Sequence, residues 1–130
     1  MICTTSIRNL GDKRFEGFVK LAIVRSMKRP IAGVAQYAPL SPDWSLFKTY
    51  RQLAEEGKWG VEAFETVYRP RFLAQMESDP VAKGAIDALA KKSWDNNIVL
   101  ACFCADVRTC HRSLVAELLV KAHADMGEIA

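Results

Sequence analysis

The chain has 130 residues, half of them hydrophobic and a quarter charged, with a formal net charge of +3. That length allows one domain around one core, and the composition rules out a disordered chain. No apolar run approaches the roughly 20 residues of a membrane span, and a charge this small does not announce nucleic acid. Its distribution says more. Residues 1–34 hold seven Lys or Arg against Asp12 and Glu16, a basic third that is either a solvated face or an attractor for an anionic ligand. The first residues lack a charged start followed by a long apolar stretch, which predicts a cytoplasmic address and no membrane contact. In a reducing compartment the four cysteines read as free thiols, redox groups or metal ligands rather than a disulfide framework.

Taken in chain order, Ile2–Ser6 reads as a first strand and residues 8–17 as a loop or short helix. Residues 18–24 are rich in Val, Ile, Leu and Phe and predict a second strand, broken by Lys28-Arg29-Pro30. Residues 31–40 show no period and read as a surface loop carrying Tyr37. Ser41-Pro42-Asp43 has a hydroxyl cap, a proline at the first helical position and an acid near the positive dipole end. The helix it starts carries Leu46, Phe47, Tyr50, Leu53 and Ala54 on one face and closes at Gly57. Phe64, Val67 and Tyr68 begin another, which Pro70 should kink or break near residues 66–69. Asp79-Pro80 starts a further helix with Val81, Ala85, Ala88 and Leu89 on one face. Asn96-Asn97 then turns the chain into Ile98–Cys102, an apolar run without alternation and so an interior strand. The last helix is marked by Leu114, Val115, Leu118, Leu119 and Ala122. Few strands separated by long helical stretches predict a small three-layer α/β domain, a mainly parallel sheet flanked by helices. The strand ends after Ser6, Val24 and Cys102 then share one edge, where ligands bind in such sheets. That edge would bring Arg8, Arg25, Lys28 and Arg29 near Cys110 and Arg112.

Three cysteines and a histidine fall within Cys102–His111. Thr109 can cap the last helix, which puts Cys110, His111 and Arg112 in its first turn. A thiol there, beside Arg and His, has its thiolate stabilised. Cys110 is therefore the candidate nucleophile, with His111 or Asp106 assisting proton transfer and Arg112 and Arg25 holding an anion. Cys104, Ser6 and Ser113 complete the candidate ligand contacts, while Cys102 reads as packed against a helix. Two patterns are set aside. Cys102 to Arg108 spells the Cys-x5-Arg of cysteine phosphatases, but the loop lacks glycine and puts Asp106 where phosphate should sit. Zinc has the right ligand types in Cys102, Cys104, Cys110 and His111, but Cys-x-Cys is tight, and neighbours in a helical turn point about 100° apart. No metal and no cofactor is expected. Trp44 and Tyr50 read as core, Trp59 and Trp94 as unclustered, and His123 as solvated.

The stretch from Val99 to Leu119, with a Cys ending a strand, a second Cys eight positions on and then His-Arg, resembles the family called domain of unknown function 488. Ala38-Pro39 with Trp44, Leu46 and Tyr50 resembles its upstream helix. Thr4-Thr5-Ser6 with Arg8-Asn9-Leu10 resembles its first-strand end. The resemblance implies a small cytosolic α/β domain and no particular activity. Two functions remain open: a cysteine-dependent enzyme acting on an anionic, phosphate-bearing ligand such as a nucleotide or nucleic acid, or a non-catalytic binding or regulatory module.

Overall fold

The computed structural model describes residues 1–130. Strands β1 (Ile2–Ser6), β2 (Val19–Ala22), β3 (Val34–Gln36), β4 (Ile98–Cys102) and β5 (Met126–Ile129) form one sheet in the order β3-β2-β4-β1-β5. Every pairing is parallel. The centre is β4, whose Ile98 pairs with Ile2 of β1 on one side and Val19 of β2 on the other. All five residues of β1 and of β4 are buried. A strand with both faces covered needs no polar face, so the Ile-Val-Leu-Ala-Cys run follows from its position.

The two faces are covered unequally. On one lie α1 (Trp44–Glu55), α2 (Val61–Ala63), α3 (Arg69–Ser78), α4 (Pro80–Lys92) and α5 (His111–Lys121). Leu46, Phe72, Ile86 and Leu114 from these helices pack with Ile2, Ile98 and Leu100 in a core of 23 buried residues. The opposite face carries only a thin layer of 3-10 turns, Ile7–Asn9 and Lys13–Phe15, which closes over Cys3, Val99 and Ala101 with Leu10 and Phe15. The result is a three-layer α/β fold with its helical mass on one side. No helix is long and apolar enough to cross a membrane.

Several local expectations shift. The first long helix is capped by Asp43, whose carboxylate accepts from the Leu46 N–H at 2.8 Å, not by Ser41. Ser41 instead turns its hydroxyl back to the Ala38 carbonyl at 2.5 Å. The irregularity expected ahead of Pro70 is present, as a change of helix type rather than an end to the helix. The backbone widens into a π turn over Phe64–Tyr68 immediately before α3, which gives the proline ring room where an α-helical carbonyl would clash. Residues 31–40 are not all loop, since Val34–Gln36 is the edge strand β3. Its three residues are half-buried or exposed, too short a run to show a period. β5 carried no strand signal either, having Gly127 and Glu128 in its four residues. The glycine leaves room for two side chains: a Cβ there would sit 2.6 Å from the Met1 sulfur and 2.8 Å from the Cys3 sulfur, so those side chains would have to shift.

Arg112 ties the carboxyl edge together. It is 1% exposed and makes no salt bridge. Its guanidinium donates to the Cys104 carbonyl at 2.7 Å, the Ala105 carbonyl at 3.3 Å and the Ala130 oxygen at 3.0 Å. The loop after β4 and the segment after β5 therefore share one donor fork. Arg112→Ala strands those oxygens and opens a cavity, and should destabilise the protein by about 3 kcal/mol, a fall in melting temperature of about 10 °C. Arg112→Lys should restore only part of this, because an ammonium cannot reproduce the planar fork. Thermal unfolding of the two variants beside the wild type checks both statements. Leu100→Ala, at a fully buried position of the central strand, should cost a similar amount, about 3 kcal/mol.

Candidate functional site

The connection leaving β4 runs through α5 to the β5 side of the sheet, while β2 leads to β3 on the other side. Chain segments that part in this way leave a crevice beyond the carboxyl ends of the two strands, the position at which open α/β sheets bind ligands. A cavity of about 220 Å³ sits there. Val24, Arg25 and Ser26 line it from the β2 side, and Cys102, Phe103 and Cys104 from the β4 side. Its walls are Phe47 and Tyr50 of α1, Trp59 before α2 and Tyr68 of the π turn, and Thr109 and His111 close the base. The rings are interlocked. Tyr50 meets Trp59 edge to face at 4.6 Å between centroids, Trp59 meets Tyr68 at 5.6 Å, Tyr68 stacks on Phe72 at 6.1 Å, and Phe72 reaches His111 at 5.5 Å.

His111 is fully buried in this arrangement, and its orientation is determined by one contact. The Ile23 N–H continues the β2–β4 ladder by donating to the Ala101 carbonyl at 2.9 Å. The Ile23 carbonyl then faces His111 Nε2 at 2.6 Å. A carbonyl can only accept, so Nε2 carries the proton and Nδ1 of the neutral ring presents a lone pair. That lone pair faces sulfur: Cys102 Sγ at 3.7 Å and Cys110 Sγ at 3.9 Å. Cys104 Sγ lies 3.9 Å from Cys102 Sγ on the pocket side. Ligand atoms of Cys102, Cys110 and His111 all fall within 4.8 Å of one another.

The expected divergence of Cys110 and His111 does not occur. Thr109 is not the cap. Cys110 is itself the N-cap of α5, in an extended conformation with φ −123° and ψ 141°, so the angular step of a helical turn does not separate it from His111. Its environment also differs from the expectation of a stabilised thiolate. Cys110 is 1% exposed, and hydrogen bonding from Cys102 and Cys104 together with burial pushes its thiol pKa well up. Hydrogen bonding with Cys104 likewise pushes Cys102 up. Cys104 goes the other way: hydrogen bonds from Cys102 and Cys110, aided by His111 and Arg112, hold its thiol far below its usual range. Burial opposes a charge on His111, but the hydrogen bond to Cys110 and its neighbours raise its pKa overall. Cys104 is also the half-buried thiol of the cluster, and so the sulfur that a ligand can reach.

The pocket thus brings together Arg25, Cys104 and His111 from the predicted set, with Cys110 behind them. The others lie elsewhere. Arg112 is committed to carbonyls and does not line the pocket. Asp106 caps the 3-10 turn Val107–Thr109 and is held by Arg108 at 2.9 Å, both in water. Cys102 and Arg108 therefore form no phosphate cradle. Ser6 is buried beside Cys102 in the β1–β4 register, and the Ser113 hydroxyl donates to the Cys110 carbonyl at 2.8 Å. Arg8, Lys28 and Arg29 are absent from the lining. Arg25 remains as its cation, fixed through Nε to the Pro42 carbonyl at 2.9 Å and Nη2 to the Ser41 carbonyl at 3.3 Å.

The aromatic wall went unforeseen. Trp44, expected in the core, is 54% exposed, whereas Tyr50 and Trp59 face the thiols. The available signal was the spacing of Phe47 and Tyr50, which puts both on one helical face. Trp59 is brought to them only by the turn at Gly57, which has φ +69°.

Comparison with known proteins agrees with the motif. The family model described as the active DUF488-N3 subclade matches residues 6–123. No curated protein and no solved structure matches the chain. With nearly all of its length inside that match, the protein belongs to the domain of unknown function 488 family, in its DUF488-N3 subclade.

Proposed function

We propose that the crevice binds a small anionic molecule with a flat ring, of mononucleotide size or smaller, and presents the Cys104 sulfur to it as the reacting group. The observation that supports this reading is the lining itself: five Phe, Tyr or Trp rings, one arginine, two thiols and no carboxylate. Rings give a planar body its contact area. A lone guanidinium in a cleft without acids attracts negative charge, and Arg is suited to phosphate or carboxylate. The volume fits one ring system with an anionic head at Arg25, not a dinucleotide. His111 and the two deeper thiols support the Cys104 thiolate, which is the nucleophilic form of sulfur. The description of the subclade as active agrees with chemistry at this position, and free thiols fit a reducing, cytoplasmic setting. In this reading catalysis passes from Cys110 to Cys104, because access favours the latter.

Alkylation by chloroacetamides tests it on protein treated with EDTA and reductant. The thiolate forms an S–C bond as chloride leaves. N-phenyl chloroacetamide should label Cys104 ahead of Cys102, Cys110 and Cys3. It should also react roughly fivefold faster than chloroacetamide after correction for intrinsic reactivity, the gain expected of one aromatic contact. Trp59→Ala should remove that gain. Adenosine monophosphate should slow the labelling, and Arg25→Gln should relieve the protection. First labelling at Cys102 or Cys110 would overturn the role of Cys104. Labelling of Cys104 with no protection by the nucleotide would overturn the anionic ring.

A further inference from the structure

We propose that Cys102, Cys104, Cys110 and His111 bind a single zinc ion as a Cys3His centre at the carboxyl end of the sheet. The inference goes beyond the pocket's ligand and does not depend on it.

With Zn–S near 2.3 Å and Zn–N near 2.0–2.1 Å, a tetrahedral site separates two sulfurs by about 3.8 Å and a sulfur from a nitrogen by about 3.6 Å. The cluster shows 3.9 Å between Cys102 and Cys104, 3.7 Å from Cys102 to His111 Nδ1, and 3.9 Å from Cys110 to His111 Nδ1. Three of the six edges of the tetrahedron are thus already near their metal-bound lengths: Cys102, Cys110 and His111 form the compact face, and Cys104 joins it through its edge to Cys102.

The imidazole is also prepared for ligation. A metal-bound histidine characteristically donates its other ring N–H to a carbonyl or carboxylate, which sets the tautomer and aims the lone pair. The Ile23 carbonyl does this for His111 at 2.6 Å. Because Ile23 N–H is held in the sheet ladder, the carbonyl is a rigid acceptor.

Charge supplies an independent observation. No Asp or Glu side chain pairs with the buried Arg112 guanidinium, and a buried charge without a counter-charge is costly. With zinc bound and the remaining thiol protons released, the centre, one Zn²⁺ with three thiolates and a neutral imidazole, carries a single negative charge. Arg112, bonded to the Cys104 carbonyl, balances it. Soft thiolates with one imidazole select zinc over magnesium or calcium. Cys104 is the ligand on the pocket side, and a metal-bound thiolate remains the form of sulfur that reacts.

The test uses the full chain, stripped of metal and kept reduced. Zinc titrated against a chromophoric chelator should bind with one equivalent per chain and raise the melting temperature. Cobalt(II), which reports geometry by absorption, should give the intense visible bands of a tetrahedral ion together with sulfur-to-cobalt charge transfer. Cys104→Ser changes a half-buried position and should lower the charge-transfer intensity by about a third, the share of one thiolate in three. Cys110→Ser should abolish the stoichiometric endpoint. Cys3→Ser should leave both intact, since Cys3 lies across the sheet in the smaller core. Absence of tetrahedral bands from wild-type protein would overturn the centre whether or not the variants fold. So would a Cys104→Ser spectrum identical to wild type. Selective labelling of Cys104 in the stripped protein is read separately, so failure of zinc binding with labelling intact removes the metal alone.

Discussion

A guanidinium taken out of water must find acceptors for its donors and, at closer range, something negative. In this protein Arg112 satisfies the first requirement with oxygens from three places: the two residues after β4 and the last residue described. Those bonds hold the loop 103–109 against α5 and hold the end of β5 against the same helix. The loop carries Cys104, and the helix carries His111, so the spacing of sulfur and imidazole depends on an arginine that touches neither ligand nor solvent. Toward the second, Arg112 is among the groups that hold the Cys104 thiol below its usual range. Structure and chemistry share one cation.

The same economy holds at the other wall. The π turn over Phe64–Tyr68 turns the helix by an extra fraction of a residue, so that Phe64 is 1% and Tyr68 5% exposed, with Tyr68 also on the pocket. Trp59 bridges these rings to Tyr50. A proline that would end an ordinary helix thus coincides with the irregularity that aims an aromatic side chain toward the sulfurs.

Residue patterns revealed the scaffold more readily than the site. Ile98–Cys102 announced an interior strand because burial on both faces removes alternation, and Asp79-Pro80 announced a helix because its cap is local; Asp79 indeed accepts from the Val81 N–H at 2.9 Å. The Cys…Cys-His-Arg block identified both the family and the position of the thiols. Which thiol is exposed was not legible, because it depends on α1 and Trp59 closing over the loop, contacts between residues far apart in sequence. Arg112 misled for the same reason. A basic residue in a first helical turn looks exposed to a ligand until the chain from Cys104 and Ala130 is seen to cover it. The apparent divergence of Cys110 and His111 failed on a shift of one residue in the helix start, since an extended N-cap aims its side chain differently from a helical residue.

The strand order carries a kinetic meaning. Each neighbour of β4 precedes it in the chain by a long interval: Ile2 waits for Ile98, and so does Val19. No two strands are joined by a hairpin, and loop-closure entropy must be met before any central pair forms. A chain emerging from the ribosome amino end first therefore holds β1 and β2 without the central strand they share until β4 is made. The helices α1 to α4 can form locally in that interval, but the carbonyl of Ile23 has no imidazole to hold until His111 arrives. Sheet closure and assembly of the sulfur cluster then become a single late event, driven by the same short segment of chain.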